Sequence, residues 1–268
     1  MTFQDRTYLM GIINVTPDSF SDGGLFFDSE KAVEHGLILE AEGADILDIG
    51  GESTRPWAMP VSAEEEIKRV IPVIKALSDR VKVPISIDTY KAEVATMAVE
   101  AGASIINDIS SLRFDPEMVN AVRKYKTPVI FMHMLGRPGD MQINPVYKDV
   151  VQDVYEFLRE RIEYAEEMGI RRDDIIIDPG IGFGKRLAHN LSLIRHLNIF
   201  KGLCCPILIG PSRKSFIREV LNRPVDDRIE GTAAVVAIAV MKGANIVRVH
   251  DVKMMKNVAR MADAIKTV

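Results

Sequence analysis

The sequence predicts an α/β protein with the (β/α)8 TIM-barrel fold, as a single domain over residues 1–268. Strand and helix signals alternate along the whole chain, and eight short apolar runs are each followed by a helical stretch. The length of 268 residues is close to the roughly 250 residues of a typical barrel. Nearly every apolar run ends at a polar residue, which favours a barrel over a doubly wound open sheet, because the open sheet gathers its ligands at one switch point.

Short aliphatic and β-branched runs predict the strands, because a strand of a parallel barrel is buried on both faces. The clearest run begins at Ile175 and stops abruptly at Asp178. Gly180, Gly182 and Gly184 follow, and glycines let a backbone come close to a ligand. The other seven predicted strands cover residues 8–15, 46–49, 84–87, 104–106, 128–132, 206–209 and 245–249.

Capping residues and apolar periodicity predict the helices between the strands. Asp28 and Ser29 can cap a helix over about residues 30–42, and residues 62–65 have the form of a capping box before a helix that ends near residue 78. Four further helices are predicted. One ends near residue 100, one covers about residues 146–168, one begins at residues 212–214, and the last runs to the C-terminus.

Composition and charge exclude several classes of protein. A hydrophobic content of 47% is enough for a large core, and a net charge of −4 argues against a dedicated nucleic-acid or membrane-surface binder. No signal peptide and no apolar run of about 20 residues is evident, so we expect a soluble, cytoplasmic protein without a membrane partner. The adjacent Cys204 and Cys205 precede an apolar run, and we expect both to be buried and reduced.

Acids and amides close several predicted strands, where a barrel presents polar groups to its substrate. They are Asn14, Asp88, Asn107, Asp108 and Asp178. An acid that directly follows buried apolar residues must be hydrogen-bonded or paired. The acids therefore favour either ion pairs beneath the loops or contacts with a ligand that is rich in N–H donors.

Cations at the same predicted edge indicate an anion site. Arg55, Lys214, Arg248 and His250 follow strands, and residues 212–214 open a helix whose N-terminus favours a phosphate. A heterocycle that carries a phosphate fits both sets of residues. Lys214 could instead form a Schiff base, although the neighbouring cations suit an anion at least as well.

Seven motifs, in order along nearly the whole chain, resemble those of dihydropteroate synthase. They are MGIINVTPDSFSDGG at 10–24, DIGGESTRP at 48–56, SIDT at 86–89, IND at 106–108, DPGIGFGK at 178–185, SRKS at 212–215 and RVHD at 248–251. A folate-dependent methyltransferase of the same superfamily would not be expected to need both residues 54–56 and residues 212–214. A non-catalytic pterin- or phosphate-binding relative is the other alternative.

The resemblance implies a transferase of folate biosynthesis. Such an enzyme joins 6-hydroxymethyl-7,8-dihydropterin pyrophosphate to p-aminobenzoate and releases pyrophosphate and 7,8-dihydropteroate. It is a sulfonamide target, and the resemblance also implies a homodimer and Mg2+ as cofactor, with the metal near Asn14.

The resemblance further implies a role for each matching residue. The pterin contacts would be Asp88, Asn107, Met132, Asp178, Lys214 and Arg248. The pyrophosphate contacts would be Asn14, Arg55, Arg248 and His250. Thr54, Pro56, Phe183, Lys214 and Ser215 would border the p-aminobenzoate site. Asp88, Lys214 and Arg55 are the catalytic residues that the resemblance implies.

Overall fold

A computed structural model describes residues 6–16, 24–54 and 58–268, without the side chains of residues 24–28 and 226. Eight parallel strands run through these ranges: β1 (Tyr8–Asn14), β2 (Ile46–Gly50), β3 (Ile85–Asp88), β4 (Ile105–Asp108), β5 (Val129–Met132), β6 (Ile175–Asp178), β7 (Leu208–Ile209) and β8 (Ile246–Val249). They pair in the order β6-β5-β4-β3-β2-β1-β8-β7. A parallel bridge between Ile177 and Ile207 links β6 to the start of β7, so the sheet curls into a nearly closed barrel. The predicted barrel fold is confirmed.

A helix follows each strand of the described chain, and two helices follow β7. They are α1 (Gly24–Glu42), α2 (Ala63–Ser78), α3 (Ala92–Glu100), α4 (Met118–Tyr125), α5 (Val150–Glu167), α6 (Leu187–Arg195), α7 (Ser215–Leu221), α8 (Ile229–Lys242) and α9 (Val252–Lys266). Within the described ranges, none of these helices is long and apolar enough to cross a bilayer.

Two helix starts differ from the sequence-based expectation. α1 begins at Gly24, so residues 28 and 29 lie inside the helix and not at its start. α5 begins later than predicted, because the Asp149 carboxylate accepts two backbone N–H groups of its first turn at 2.9 and 3.2 Å. The cap at Ser62 is confirmed, since its Oγ accepts an N–H group of the first turn of α2 at 3.2 Å.

The interior of the barrel contains two layers of inward-facing side chains. A cluster of seven buried side chains fills the lower barrel: Met10, Ile46, Ile105, Ile130, Ile176, Leu208 and Ile246. Since side chains two residues apart point to the same face of a strand, the next inward positions toward the carboxyl ends follow directly. Those positions are Ile12, Asp48, Asn107, Met132, Asp178, Gly210 and Arg248. The apolar plug therefore lies directly beneath a largely polar mouth.

The two cysteines lie in different environments. Cys205 is buried, as predicted, and both thiols are free. The prediction was wrong for Cys204, which is exposed because it ends a short 3-10 helix in a left-handed turn with φ 54°.

Candidate active site

A chain of charged hydrogen bonds crosses the barrel mouth. The Arg248 guanidinium of β8 donates from Nε to Asp48 Oδ2 at 2.6 Å and from Nη2 to Asp88 Oδ2 at 2.8 Å. The amide of Asn107 donates to the same oxygen of Asp48 at 3.0 Å. Side chains from β2, β3, β4 and β8 are thereby joined, and the mouth is organised around one guanidinium that two carboxylates share.

Sequence reasoning assigned no role to Asp48. The sequence does contain a signal for such a role, because Asp48 is an acid in the middle of the apolar strand Ile46–Gly50, where a charge requires partners. Asp48 is fully buried, and among the described residues its Oδ1 has no hydrogen-bond partner. Ser86, its register neighbour on β3, likewise has a buried and unpartnered hydroxyl. These two groups form a polar floor beneath the mouth.

Asp88 and Asp178 carry carboxyl groups that are easier to protonate than usual. Burial raises the pKa of Asp88 to about 7, although the charge of Arg248 opposes the rise. Burial also raises the pKa of Asp178 to about 6, although the N–H of Gly180, which donates to its Oδ1 at 2.7 Å, opposes the rise. Both acids face the mouth, and both titrate close to neutral pH.

Lys214 is the residue that precedes α7, and its ammonium lies in the same charged cluster. Burial lowers its pKa to about 8, and so does the charge of Arg248, while Asp178 and Asp88 oppose the change. The Lys214 Nζ lies 4.0 Å from the centroid of the Phe183 ring, which is within cation–π distance. The structure therefore brings the predicted lysine, arginine and acids together.

His250 lies beside Ser212, a residue that sequence reasoning gave no separate role. The backbone N–H of His250 donates to Ser212 Oγ at 3.2 Å, and the imidazole Nδ1 lies 3.0 Å from the same oxygen. Burial, together with Arg248 and Arg213, lowers the pKa of His250 to about 3. The imidazole is therefore neutral at pH 7, and it offers an anion a hydrogen bond where the sequence suggested a charge.

Asn14 and Asp88 lie on either side of Gly50. Asn14 pairs with Gly50 in the strand register, and Gly50 pairs with Asp88. A Cβ built on Gly50 would lie 3.4 Å from the Cβ of Asp88. The missing side chain leaves room between the half-buried amide of Asn14 and the carboxylate of Asp88, on one face of the sheet.

An apolar wall closes one side of the mouth. Met132 is 4% exposed and pairs with Asp178 in the strand register, and Phe183 is 9% exposed. They belong to one buried cluster, which also contains Ile109, Met134 and Met141. A flat, partly apolar ligand could therefore lie against this wall with its polar edge toward Asp178.

Not every predicted residue faces the mouth. Asp108 supports its own loop, because its two carboxylate oxygens accept the N–H groups of Ser110 at 2.8 Å and Leu112 at 2.7 Å. Asp108 is therefore a structural acid bonded to backbone N–H groups, where the sequence suggested an ion pair or a ligand contact. Thr54 is half-buried after β2, and Ser215 is exposed as the first residue of α7. Arg55 and Pro56 lie outside the described residues.

Comparison with known proteins points to one family. The family profile described as "Pterin binding enzyme" matches residues 10–250. Dihydropteroate synthase of Bacillus subtilis is 47% identical over 265 residues, which are 99% of this chain and 90% of that protein. The Yersinia pestis dihydropteroate synthase, solved with a sulfonamide drug complex, superposes with a TM-score of 0.94 at 43% identity and covers 100% of this chain and 99% of its own. The Xanthomonas albilineans dihydropteroate synthase in complex with 7,8-dihydropteroate has a TM-score of 0.90 at 45% identity, with 98% and 95% covered.

Removing Asp48 should destabilise the fold, because it leaves Arg248 with one carboxylate in place of two. We expect Asp48→Ala to lower the free energy of unfolding by about 3 kcal/mol, the range for breaking a buried ion pair. Urea denaturation measures the change. Adding Arg248→Met should recover much of the loss, whereas Glu64→Gln, which breaks the exposed pair with Lys68, should leave the midpoint unchanged. A loss for Asp48→Ala no larger than that of Glu64→Gln would contradict the shared-guanidinium network.

Proposed function

The chain belongs to the dihydropteroate synthase family of pterin-binding enzymes, and we infer that it catalyses the reaction of that family in its barrel mouth. It is a transferase that joins 6-hydroxymethyl-7,8-dihydropterin pyrophosphate to p-aminobenzoate, giving 7,8-dihydropteroate and pyrophosphate. The convergence of Asp88, Asn107, Asp178, Lys214 and Arg248 on one mouth carries this inference. These side chains supply the acceptors, donors and charge that a phosphorylated heterocycle requires.

We propose that the pterin lies against the apolar wall at Met132. The Asp178 carboxylate accepts from the 2-amino group and from N3–H together, which an amide in its place could not do. Asp88, Asn107 and Lys214 bind the remaining polar edge of the ring, and Arg248 packs on its face. Asn107 and Asp178 are buried, and Asp88, Lys214 and Arg248 are half-buried. This burial supports the assignment, since a hydrogen bond counts for more in a desolvated mouth.

We propose that the pyrophosphate binds at Asn14, Arg248 and His250. The neutral imidazole of His250 donates one hydrogen bond, and Arg248 supplies the positive charge. Arg55 is assigned to the same anion by resemblance alone, since it lies outside the described residues.

A magnesium ion fits this side of the mouth by the chemistry of its donor. Mg2+ binds oxygen ligands and usually combines few protein groups with substrate phosphates and water. Asn14 offers such an oxygen, and the described ranges contain no cluster of three His, Cys, Asp or Glu side chains that could hold a metal by themselves. We therefore propose that Asn14 would hold Mg2+ beside the pyrophosphate, where the ion would supply positive charge to the leaving group.

We propose that p-aminobenzoate, and a sulfonamide in its place, occupies the side of the mouth bordered by Phe183 and Lys214. Thr54, Ser215 and Pro56 are assigned to this side by resemblance, and Pro56 lies outside the described residues. The Phe183 ring presents an apolar face to the aromatic ring, and the Lys214 ammonium beside it suits a carboxylate or a sulfonyl group.

The chemistry exchanges one bond on the exocyclic methylene carbon of the pterin. The C–O bond to pyrophosphate breaks, a C–N bond to the arylamine forms, and the amine gives up one proton. Electron density from the dihydropterin ring stabilises the positive charge that develops on the methylene group, and Asp88 adds electrostatic stabilisation in its ionised form, which is favoured above its pKa of about 7. The arylamine is neutral at pH 7, so it requires positioning more than a strong base.

The first test is turnover by the purified protein. We expect dihydropteroate and pyrophosphate in equal amounts from the two substrates, a requirement for Mg2+, and at least about a hundredfold loss in Lys214→Ala, because a charged contact to the reacting groups is removed. Chromatography of the pterin product and a coupled pyrophosphate assay measure the outcome. Binding of the pterin by folded protein without turnover would overturn the synthase assignment.

Pterin binding should depend on pH through Asp178. Its pKa is raised to about 6, so the carboxylate that accepts two N–H groups is lost as the pH falls below that value. Asp88, whose pKa is about 7, contributes a separate step near neutral pH. Below pH 6 we expect Asp178 to make the affinity for 6-hydroxymethylpterin fall by about tenfold per pH unit. Calorimetric titration measures this profile. Asp178→Asn should bind about a hundredfold more weakly with no such dependence, and a flat profile for the wild type would argue against the assignment.

An apolar face on α8 and α9 supports the homodimer. Ile238 and Met241 on α8 are about half exposed, as are Met261 and Ile265 on α9, and together with Ala237, Val258 and Ala262 they line one groove. Such patches are uncommon on monomers. We propose that a second copy covers this face through a two-fold axis, which sets the same patch of each copy against the other.

A charge in the groove should break the dimer. We expect Met261→Glu to sediment as a monomer at micromolar concentration, because a carboxylate would be buried without a partner. Ile199→Glu, at an exposed isoleucine outside the groove, should sediment like the wild type. A dimer that survives Met261→Glu, or a wild-type monomer, would refute the proposed interface.

A further inference from the structure

Lys185 is a buried cation that the roles proposed above do not use. It lies near the end of the loop between β6 and α6, and it is 3% exposed. Its Nζ lies 2.9 Å from the carbonyl oxygen of Gly180, 3.0 Å from that of Phe183 and 3.2 Å from that of His133. The His133 Nδ1 is a fourth neighbour at 2.9 Å. The ammonium therefore ties the loop after β6 to the end of β5.

These contacts suit a lysine and offer it no carboxylate partner within hydrogen-bond distance. An ammonium has three N–H donors, which match the three backbone carbonyls. Burial lowers the pKa of Lys185 to about 7, Asp178 opposes the change, and Lys214 adds to it. The imidazole of His133 stays neutral, because burial and the charges of Lys185 and Arg113 hold its pKa well below the usual value. A buried ammonium whose described contacts are three carbonyls and a neutral imidazole costs stability, which points to a positional role.

The loop needs an external tie because its backbone is unusual. Gly180, Gly182 and Gly184 have φ values of 69°, 84° and 62°, a region that other residues rarely adopt. A Cβ on Gly180 would lie 1.9 Å from the His133 carbonyl oxygen, so the loop presses directly on the end of β5. This curl turns the Gly180 and Phe183 carbonyls inward, where Lys185 binds both.

Phe183 is the side chain that this tie controls. Its ring lies against the Lys214 ammonium, and its carbonyl is one of the three that Lys185 holds. Asp178 is held by the backbone N–H of Gly180, whereas Lys185 binds the carbonyl of Gly180, which belongs to the next peptide group. A change at Lys185 should therefore reach the Phe183 side of the mouth more than the Asp178 side.

We propose that Lys185 is a positioning residue of the synthase. It fixes the Phe183 ring over Lys214 by clamping the backbone of the loop, and so it shapes the side of the mouth that receives p-aminobenzoate. The proposal rests on the proposed function, because it assigns the two sides of the mouth to the two substrates.

The test is a comparison of steady-state constants for Lys185→Met, which keeps the length of the side chain and removes its donors. We expect KM for p-aminobenzoate to rise by about tenfold, while KM for the pterin pyrophosphate changes by less than about twofold. Lys185→Gln retains two N–H donors, and we expect an intermediate KM for p-aminobenzoate.

Tyr147→Phe is the matched control. The Tyr147 hydroxyl donates to the Gly184 carbonyl at 2.7 Å, so this variant also removes one tie from the same loop but leaves the Phe183 carbonyl held. We expect it to change both KM values by less than about twofold. The proposal is overturned if Lys185→Met and Tyr147→Phe behave alike, or if both KM values rise together in the lysine variants. If Lys185→Met does not fold, the same two criteria apply to Lys185→Gln.

A second readout does not depend on turnover. Amide hydrogen exchange over residues 180–185 should accelerate in Lys185→Met or Lys185→Gln more than in Tyr147→Phe, because the clamp on two carbonyls is lost. Unchanged exchange in the lysine variants would overturn the clamp itself. A wild-type protein that binds both substrates without turnover would instead refute the proposed function while leaving the clamp measurable.

Discussion

The mouth of this barrel depends on one guanidinium that two carboxylates share. Arg248 is separated from Asp88 by 160 positions in the chain and from Asp48 by 200, yet it donates to both. Burying any one of these charges alone would cost free energy, and the three groups offset that cost by pairing with one another. Asn107 adds a neutral donor to the same carboxylate, so four strands are connected through their side chains as well as through their backbones.

This shared charge sets the electrostatics of the surrounding groups. Asp178 and Lys214 both lie near Arg248, and burial moves the pKa of each toward neutrality, to about 6 and about 8. The pKa of His250 is lowered, because burial and the neighbouring arginines disfavour its charged form, so His250 does not act as a cation. A single desolvated mouth therefore holds acceptors, donors and a cation side by side, as a polar heterocycle with an anionic leaving group requires.

The apolar and backbone parts of the mouth obey different constraints. Met132 is placed by packing, and the plug beneath the mouth gives the polar residues a rigid base. The loop after β6 is placed by glycines in the left-handed region and by the carbonyl contacts of Lys185. Packing and hydrogen bonding thus orient the two sides of the mouth by separate means.

The sequence by itself determined the order of eight strands and their helices, the cap at Ser62 and the position of polar residues at the strand ends, because alternation and capping are local properties. Only the tertiary structure separated the inward Asp88 from Asp108, which supports its own loop. It also decided the partners of Asp48 and the neutrality of His250. Those outcomes depend on which face of a strand turns inward and on residues up to 200 positions away, and no local pattern contains that information.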